Sequence, residues 1–479
     1  MILALDIGTT ALKGALLQPD GTPLAMGQRA LELVSDRDSA LHYETDAMGW
    51  VSAIRSLCQE LGVSSAKRPE AVVVSGNGPT LIPVGQDDRP LHRAMLWMDR
   101  RCIEEAKTIS ELNGFYVDPT FYLPKALWFY RQRPEVYEAA KYFFGCPEYI
   151  SYLLSGNPVT FLPADGYAAY IWSEEQVRRL GMDWAKFPTF AHPGEALGKT
   201  TASASELLGV PAGIPVFAGG PDFIVSIIGT GTVAPGRACD RAGTSEGINL
   251  CTDQAITDRR LLCVDHVIEG YRNVSGIVST SGKALQWFKD ITGQSAAAFG
   301  ALFEDIASVP PGANKLIFLP YLAGERAPIW DPNARGTFIG MTMHHRRKEM
   351  TRAVVESVGF AIRDILTVME EIGLRVDDVR ITGGQAKSET WTQIKADITG
   401  KRFLLPVLKD AELAGDLCLA LVGLGAYDSL AEAAEAAVPI ERVFDPNPRH
   451  KRTYDDLFDI YRTSYAGLKQ TFARLGELE

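Results

Sequence analysis

The amino-acid sequence predicts an α/β protein that consists of two related domains. Its 479 residues exceed what one hydrophobic core of ordinary size organises, so two or three domains are expected. Residues 2–5 form a short apolar run that enters a turn rich in glycine and threonine, and residues 241–250 repeat this arrangement. Two such turns beside strands, in different halves of the chain, favour two related domains that face one another.

The elements of the first half follow from the spacing of apolar residues and turn residues. Residues 2–5 and 12–17 are predicted to be the strands of a β-hairpin, because a glycine-containing turn lies between them. Residues 46–61 have apolar side chains at helical spacing, with Thr45 in a position to cap the helix. The all-apolar run 71–74 ends in a serine–glycine turn, which is typical of a buried strand that delivers a loop to a site.

Later segments of the chain repeat this design. Residues 214–218 form another short apolar run that ends in a glycine turn. The longest predicted helix covers residues 350–371, which carry a broad apolar stripe. A strand over residues 379–382 leads into a glycine pair, and a last helix is predicted to start near Tyr454.

Composition and charge exclude several classes of protein. Apolar residues make up 46% of the chain and charged residues 22%, as in ordinary globular proteins. The formal net charge of −11 argues against a broad basic surface, so we expect no nucleic-acid partner. Seven scattered cysteines without a C-x-x-C pair favour a reducing cytoplasm over a disulfide framework. Neither a secretion signal nor an apolar run of roughly 18 residues is found, so we expect no membrane association.

The turn after the first strand carries residues suited to phosphate and metal chemistry. Gly8 allows close approach of the backbone to a phosphate, and Thr9 and Thr10 add hydroxyl donors. Asp6 can hold Mg²⁺ directly or through water, and Lys13 can bring positive charge toward a transferring phosphoryl group. The same residues are also compatible with an ordinary β-turn, since aspartate, glycine and threonine are common there.

A second candidate group lies at the end of the strand predicted over residues 214–218. Asp222 follows a glycine pair and a proline, a position from which a carboxylate can accept the proton of a substrate hydroxyl. Asp222 can equally cap a helix that starts near Phe223, and the two roles are compatible. Trp97 with Asp99 suits the face of a sugar, although a core tryptophan beside an ion pair explains the pattern as well.

Two further glycine turns, at residues 243–245 and 383–385, follow predicted strands. Neither is a Walker A motif. Taken in order, the motifs resemble the FGGY carbohydrate kinase family and, within it, the xylulokinases. The resemblance extends from residue 1 to about residue 430. The matching stretches are residues 6–10, 97–101, 124–128, 220–222, 243–245, 321–328, 331–336, 336–356 and 383–391.

The resemblance implies two ribonuclease-H-like domains of the actin and Hsp70 type, with the active site in the cleft between them. An N-terminal domain over residues 1–236 would bind the sugar and carry the general base and the first phosphate loop. A C-terminal domain over residues 237–440 would bind the nucleotide, and residues 441–479 would form a helical tail. ATP and Mg²⁺ are the implied cofactors.

The resemblance also assigns roles to individual residues. It implies that Asp222 is the general base, and that Asp6 and Asp222 associate with Mg²⁺. The residues implied to bind the nucleotide are Gly8, Thr9, Thr10, Lys13, Gly243, Thr244, Gly383, Gly384 and Gln385. The residues implied to bind the sugar are Asn77, Gly78, Pro79, Trp97, Asp99, Asp222 and Phe223.

The motifs that face the sugar depart from the xylulokinase pattern. Xylulokinases usually carry Gln-Met-His-Gly at residues 77–80 and asparagine at the positions of Met98 and Phe223. Because a lost hydrogen-bonding group changes discrimination strongly, a deoxy-sugar, a differently shaped ketose or a polyol is also an expected acceptor. Glycerol is disfavoured, because the Arg–Glu pair of glycerol kinases is missing from this loop.

We therefore expect ATP-dependent phosphorylation of a hydroxyl of a small ketose or polyol in the cytoplasm. One alternative is a catalytically weak sugar or nucleotide sensor on the same scaffold, and another is an actin- or chaperone-like ATPase. The motifs leave open whether the protein is a homodimer.

Overall fold

The computed structural model describes residues 1–35 and 41–478. The chain divides into two compact units. Unit 1 comprises Met1–Gly229, Asp265–Glu269 and Ala411–Pro439. Unit 2 comprises Thr230–Val264, Gly270–Asp410 and Ile440–Glu479. Because residues 411–439 return to unit 1, these borders differ from a linear division at residues 236 and 440.

The strands in chain order are β1 (Ile2–Ile7), β2 (Ala11–Leu17), β3 (Pro23–Ala30), β4 (Val34–Ser35), β5 (Tyr43–Thr45), β6 (Ala71–Gly76), β7 (Ile82–Val84), β8 (Ala94–Met95), β9 (Tyr142–Phe144), β10 (Val159–Phe161), β11 (Thr189–Ala191), β12 (Ala196–Lys199), β13 (Pro215–Pro221), β14 (Arg237–Ala242), β15 (Glu246–Thr252), β16 (Leu262–Asp265), β17 (Arg272–Val278), β18 (Ile317–Leu319), β19 (Thr337–Ile339), β20 (Asp378–Thr382), β21 (Arg402–Pro406) and β22 (Ile440–Phe444).

The α-helices are α1 (Ala47–Glu60), α2 (Ile103–Asn113), α3 (Tyr122–Gln132), α4 (Pro134–Ala139), α5 (Cys146–Ser155), α6 (Ala168–Ile171), α7 (Glu174–Arg179), α8 (Ala202–Leu208), α9 (Asp222–Gly229), α10 (Gly282–Ile291), α11 (Phe299–Ala307), α12 (Arg347–Glu371), α13 (Glu389–Thr399), α14 (Ala411–Gly423), α15 (Leu430–Ala437) and α16 (Lys451–Gly476). Across the described residues, none of these helices has the length and apolarity needed to cross a membrane.

The main sheets of the two units have the same pattern of pairing. In unit 1 the order is β12-β13-β6-β1-β2-β3, and in unit 2, read in the corresponding direction, it is β22-β21-β20-β14-β15-β17-β16. In each unit an antiparallel hairpin, β1–β2 or β14–β15, adjoins two parallel strands, β6 and β13 or β20 and β21. The prediction of two related α/β domains is therefore confirmed.

The central strands are apolar on both faces because helices cover them. Every residue of β1 and β6 is buried, which explains their short, uninterrupted apolar runs. In unit 1, α9 and α14 cross so closely that a side chain on Gly415 would come within 2.1 Å of the Val225 carbonyl oxygen. Glycine at this crossing therefore allows α14 to lie directly against the end of the sheet that carries the candidate site.

The predicted elements are found, with shifted ends. Strand β1 continues to Ile7, and the long helix α12 starts at Arg347. The prediction that Thr45 caps α1 is wrong. Asp46 caps this helix by accepting a hydrogen bond of 2.9 Å from the Met48 amide. Thr45 belongs to β5, and its hydroxyl donates to the Glu32 carbonyl oxygen instead.

Candidate active site

The turn between β1 and β2 is closed by its own backbone. The Gly8 amide donates a 3.0 Å hydrogen bond to the Ala11 carbonyl oxygen. A side chain on Gly8 would place its Cβ 2.8 Å from that oxygen, so only glycine fits without displacement. Thr9 is half-buried and Thr10 is exposed at the tip. The turn therefore offers two threonines beside a tightly folded backbone, as the sequence predicted.

Asp6 and Lys13 lie directly opposite each other on β1 and β2. Residues opposite each other in an antiparallel pair project to the same face, so both side chains lie on one side of the sheet. Asp6 is 4% exposed and is aligned with Ser75 on the parallel neighbour β6. The β1–β2 hairpin thus carries a nearly buried carboxylate and a half-buried lysine on one face.

Asp222 is the first residue of α9 and follows directly after β13. One of its carboxylate oxygens accepts a 2.7 Å hydrogen bond from the Phe223 amide, and the side chain is half-buried. The positive end of a helix dipole favours an ionised carboxylate at this position. The structure therefore shows Asp222 at a helix start, close to the position that the sequence suggested.

The two candidate carboxylates share a neighbour, the buried thiol of Cys146. Burial raises the pKa of this thiol well above its ordinary value, and Glu148, Asp6 and Asp222 raise it further. Because Asp6 and Asp222 both raise the pKa of this one thiol, they lie in the same part of unit 1. The sequence singled out neither Cys146 nor Glu148, since neither belongs to a recognisable motif.

The loop after β6 is packed tightly against β1 and α3. Asn77 is buried, and its side-chain amide donates a 2.9 Å hydrogen bond to the Ile7 carbonyl oxygen. Its side-chain oxygen accepts a hydrogen bond from the Thr80 hydroxyl. A side chain on Gly78 would approach the Tyr122 hydroxyl to 2.8 Å. Asn77 therefore uses its polar groups to fix the loop.

Trp97 and Asp99, which the sequence placed together, have different surroundings. The Trp97 side chain is 44% exposed, and its indole nitrogen donates a 2.9 Å hydrogen bond to the Thr9 hydroxyl. Asp99 is fully buried and accepts hydrogen bonds from the Tyr43 amide and the Arg101 guanidinium, at 2.8 and 2.7 Å. Trp97 thus joins the first turn, whereas Asp99 anchors a buried ion pair.

Phe223 is half-buried, and the centre of its ring lies 6.3 Å from that of Tyr167. Tyr167 belongs to a short 3₁₀ turn, Asp165–Tyr167, that no motif revealed. An aromatic pair therefore adjoins Asp222 at the position where xylulokinases usually carry asparagine.

Unit 2 contains a cavity of about 850 Å³. Its lining residues are Ala242, Gly243, Thr244, Gly282, Lys283, Gln286, Phe299, Gly300, Phe303, Gly384, Gln385, Lys387, Ser388 and Trp391. The structure thus brings together the two glycine turns that are 140 residues apart in sequence, as the motifs implied. The start of α10 and the aromatic side chains were missed, although a glycine between a strand and a helix was a usable signal at residue 282.

Three loops meet at this cavity through hydrogen bonds to one backbone carbonyl. The Gly243 carbonyl oxygen accepts from the Gly282 amide at 3.1 Å and from the Gln385 side chain at 2.9 Å. A side chain on Gly282 would come within 2.6 Å of the Gly243 carbonyl oxygen. Gly383, with φ of +86°, would bring a Cβ to 2.6 Å from the Ala242 carbonyl oxygen. Glycine is therefore required at both crossing points.

The residues around the cavity combine groups that attract anions with aromatic side chains. The amino end of the ten-residue helix α10 and the exposed Lys283 and Lys387 favour anions. Phe299, Phe303 and Trp391 contribute aromatic side chains to its wall. A cavity of this size lies in the range of ligand-binding pockets, about 300–1,000 Å³.

A buried group of charges supports the loops of the cavity. The Lys395 ammonium donates to Asp240 at 2.8 Å and to Glu246, and all three side chains are fully buried. Glu246 in turn accepts a hydrogen bond from Ser281, whose hydroxyl accepts one from Gln385. Burial and the nearby Glu246 raise the pKa of Asp240 well above its ordinary value. Burial would also raise the pKa of Glu246, but the Lys395 ammonium lowers it overall.

Two family models match the chain, the N-terminal domain of the FGGY family of carbohydrate kinases over residues 1–229 and its C-terminal domain over residues 241–424. The chain belongs to the FGGY family of carbohydrate kinases. The match covers both units, and the prediction from the motifs is confirmed.

Individual relatives are similar along nearly their whole length. The xylulose kinase of Staphylococcus epidermidis is 27% identical over 99% of this chain and 98% of its own. The gluconokinase of Bacillus licheniformis is 25% identical over 100% of this chain and 98% of its own. A ligand-bound xylulose kinase of Lactobacillus acidophilus has a TM-score of 0.84 with 26% identity, covering 99% of both chains.

The relatives are sugar kinases, and kinases of this family use ATP as the phosphate donor. The protein is accordingly a carbohydrate kinase that transfers a phosphoryl group to a hydroxyl. The alternative of a catalytically weak sensor receives no support from these relatives.

Proposed function

We propose that the protein phosphorylates a hydroxyl of a small ketose or polyol, with the nucleotide bound by unit 2 and the acceptor bound by unit 1. The cavity of unit 2 supports this assignment most strongly, because its anion-binding loops and aromatic wall fit ATP. The names of the relatives add two acceptor candidates, xylulose and gluconate.

On the nucleotide side, each part of the cavity has a separate task. Gly243 and Thr244 together with the amino end of α10 would face the phosphates. Gly384 and Gln385 line the cavity beside the aromatic residues and, together with the adjacent Gly383, would border the adenosine portion. On the other unit, Gly8, Thr9, Thr10 and Lys13 would approach the γ-phosphate. Positioning and charge neutralisation of this kind are the main demands of phosphoryl transfer.

Asp222 is the proposed general base. As the acceptor oxygen bonds to the γ-phosphorus and the bond to the ADP oxygen breaks, the hydroxyl proton passes to the Asp222 carboxylate. It is half-buried at the start of α9, where the positive end of the helix dipole favours a carboxylate and where the side chain can be reached. Trp97, Gly78, Pro79 and Phe223 would border the acceptor.

Mg²⁺ is proposed as the metal ion. Among the described residues, no group of three or more His, Cys, Asp or Glu side chains could hold a metal by itself. Mg²⁺ usually binds through one or two carboxylates together with substrate phosphates, and Asp6 with Asp222 fits that pattern. Bound in this way, the ion would neutralise the charge of the phosphates.

Asn77 and Asp99 are proposed to act indirectly, because their polar groups are hydrogen-bonded within the protein. A cytoplasmic location is also proposed. All seven cysteines lie among the described residues and are free thiols, as a reducing compartment requires.

The direct test is release of ADP with a panel of pentuloses, hexuloses, deoxy-sugars, aldonates and polyols, followed by phosphorus NMR of the product. We expect one acceptor class to give rapid, Mg²⁺-dependent turnover. Absence of a phosphorylated product with every acceptor, while ATP still binds, would contradict the proposal. If an aldonate proves to be the best acceptor, it replaces the ketose as the proposed substrate.

A further inference from the structure

Lys125 has a fully buried side chain on α3. Its ammonium donates a 2.6 Å hydrogen bond to the Pro79 carbonyl oxygen and a 2.8 Å hydrogen bond to the Leu96 carbonyl oxygen. In the described part of the chain it makes no ion pair within 4 Å. A buried cation is costly unless its donors are satisfied, so these two carbonyls hold it in place.

The two carbonyls belong to the segments that border the proposed acceptor site. Pro79 lies in the loop fixed by Asn77, and Leu96 directly precedes Trp97. Trp97 in turn donates to the Thr9 hydroxyl in the first turn. One ammonium group therefore joins two loops that approach each other only in the folded protein.

The charge of this ammonium depends on its surroundings. Burial lowers the pKa of Lys125 to about 7. Arg101 also lowers this pKa, whereas Cys102, Asp99 and Asp118 raise it. Burial likewise raises the pKa of the neighbouring Cys102 thiol. Loss of the proton replaces charge-assisted hydrogen bonds with weaker neutral ones.

We propose that Lys125 is a positioning residue for the acceptor, which holds the Pro79 and Leu96 carbonyls and thereby fixes the loop at residues 77–80 and the Trp97 side chain. This inference rests on the proposed function of unit 1. It assigns Lys125 no contact with the acceptor, because its side chain is fully buried beneath both loops.

The test compares Lys125→Met with Lys186→Met. Lys186 is a matched control, because its ammonium also donates to two carbonyl oxygens, those of Glu138 at 3.2 Å and Ala140 at 2.6 Å. For Lys125→Met we expect the acceptor KM to rise at least about tenfold, while the ATP KM stays within about twofold. Lys186→Met should leave both constants unchanged.

Hydrogen–deuterium exchange provides a readout independent of activity. Lys125→Met should speed exchange at residues 77–82 and 94–99 while leaving exchange in unit 2 unchanged, and Lys186→Met should affect neither segment. Lys125→Gln, which retains a donor, should give a smaller effect. Unchanged exchange and acceptor KM in Lys125→Met, or equal rises in both KM values, would overturn the inference. A wild-type protein inactive with every acceptor would instead contradict the proposed function and leave the exchange result decisive.

The wild-type pH profile requires no variant. The acceptor KM should rise as pH increases through about 7, with the ATP KM flat across that range. A flat acceptor KM would show that Lys125 keeps its proton across this range, and the comparison of variants would then decide its positioning role.

Discussion

The indole nitrogen of Trp97 donates a hydrogen bond of 2.9 Å to the Thr9 hydroxyl. This bond joins a residue on the proposed acceptor side to the turn proposed to face the γ-phosphate. Because Trp97 remains 44% exposed, the bond leaves much of its ring available to a ligand.

Replacing Trp97 with phenylalanine removes this bond and keeps an aromatic ring. We expect kcat to fall by about tenfold, because a lost hydrogen bond of about 1 kcal/mol also frees the Thr9 side chain. Steady-state kinetics measure this effect. Trp184→Phe, in which the altered ring stacks on Phe187, is the control and should retain wild-type kcat. Equal losses in both variants would contradict a specific role for the Trp97–Thr9 bond.

Substitution of Gly282 by alanine tests the crossing of loops at the cavity. The added Cβ would lie 2.6 Å from the Gly243 carbonyl oxygen, so the two loops must separate. We expect the ATP KM to rise at least about tenfold, while the acceptor KM changes little. Gly467→Ala in α16 has open space around its Cβ and should bind ATP normally. Unchanged ATP binding in Gly282→Ala would remove these loops from the nucleotide site.

Removal of Lys395 tests the buried charges beneath the cavity. Lys395→Met leaves the Asp240 and Glu246 carboxylates fully buried without their cation, so we expect a loss of about 3–5 kcal/mol in stability. Lys401→Met loses an ion pair with the half-exposed Glu370 and should cost no more than about 1 kcal/mol. Urea unfolding followed by circular dichroism measures both variants. Similar losses of stability in the two variants would show that burial does not strengthen the interactions of Lys395.

The raised pKa of the Glu148 carboxyl predicts that the stability of the protein depends on pH. Burial raises the pKa of this carboxyl from 4.5 to about 7, so the folded protein keeps its proton where the unfolded chain has lost it. Stability contributed by the protonated group is therefore lost as pH rises from about 4.5 to 7.

Glu148→Gln should remove that dependence and be more stable than wild type by about 3 kcal/mol above pH 7, and similar to it near pH 4.5. Thermal unfolding across this pH range measures the difference. Glu174→Gln alters an exposed carboxylate and serves as the control. If the stability difference between Glu148→Gln and wild type is the same at all pH values, the raised pKa assigned to Glu148 is contradicted.

Much of the fold follows from local sequence. The strands β1 and β6 are short apolar runs because both of their faces are buried, and glycine turns mark their ends. The cap of α1 was misplaced by one residue, because Thr45 and Asp46 are both good caps and only the packing of β5 selects between them. The return of α14 to unit 1 depends on its close packing against α9, and no local sequence pattern indicates this packing.

The sequence predicts those residues of the candidate site that belong to a recognisable motif. Asp6, Asp222 and Thr244 stand at strand ends or turns that the motifs marked. Lys125 lies within a matched stretch, but its role depends on two carbonyls far away in sequence. The aromatic wall at Phe299 and Trp391 is likewise visible only once α11 and α13 pack around the cavity.

The most direct measurement is the rate of acceptor-dependent ADP release by Asp222→Asn, with nucleotide binding measured in parallel. Asparagine keeps the shape of the side chain and the acceptor oxygen at the start of α9, but it cannot take up the hydroxyl proton. We expect kcat to fall by about a thousandfold while ATP binds as in the wild type. Turnover within about tenfold of wild type would contradict the role of Asp222 as the general base.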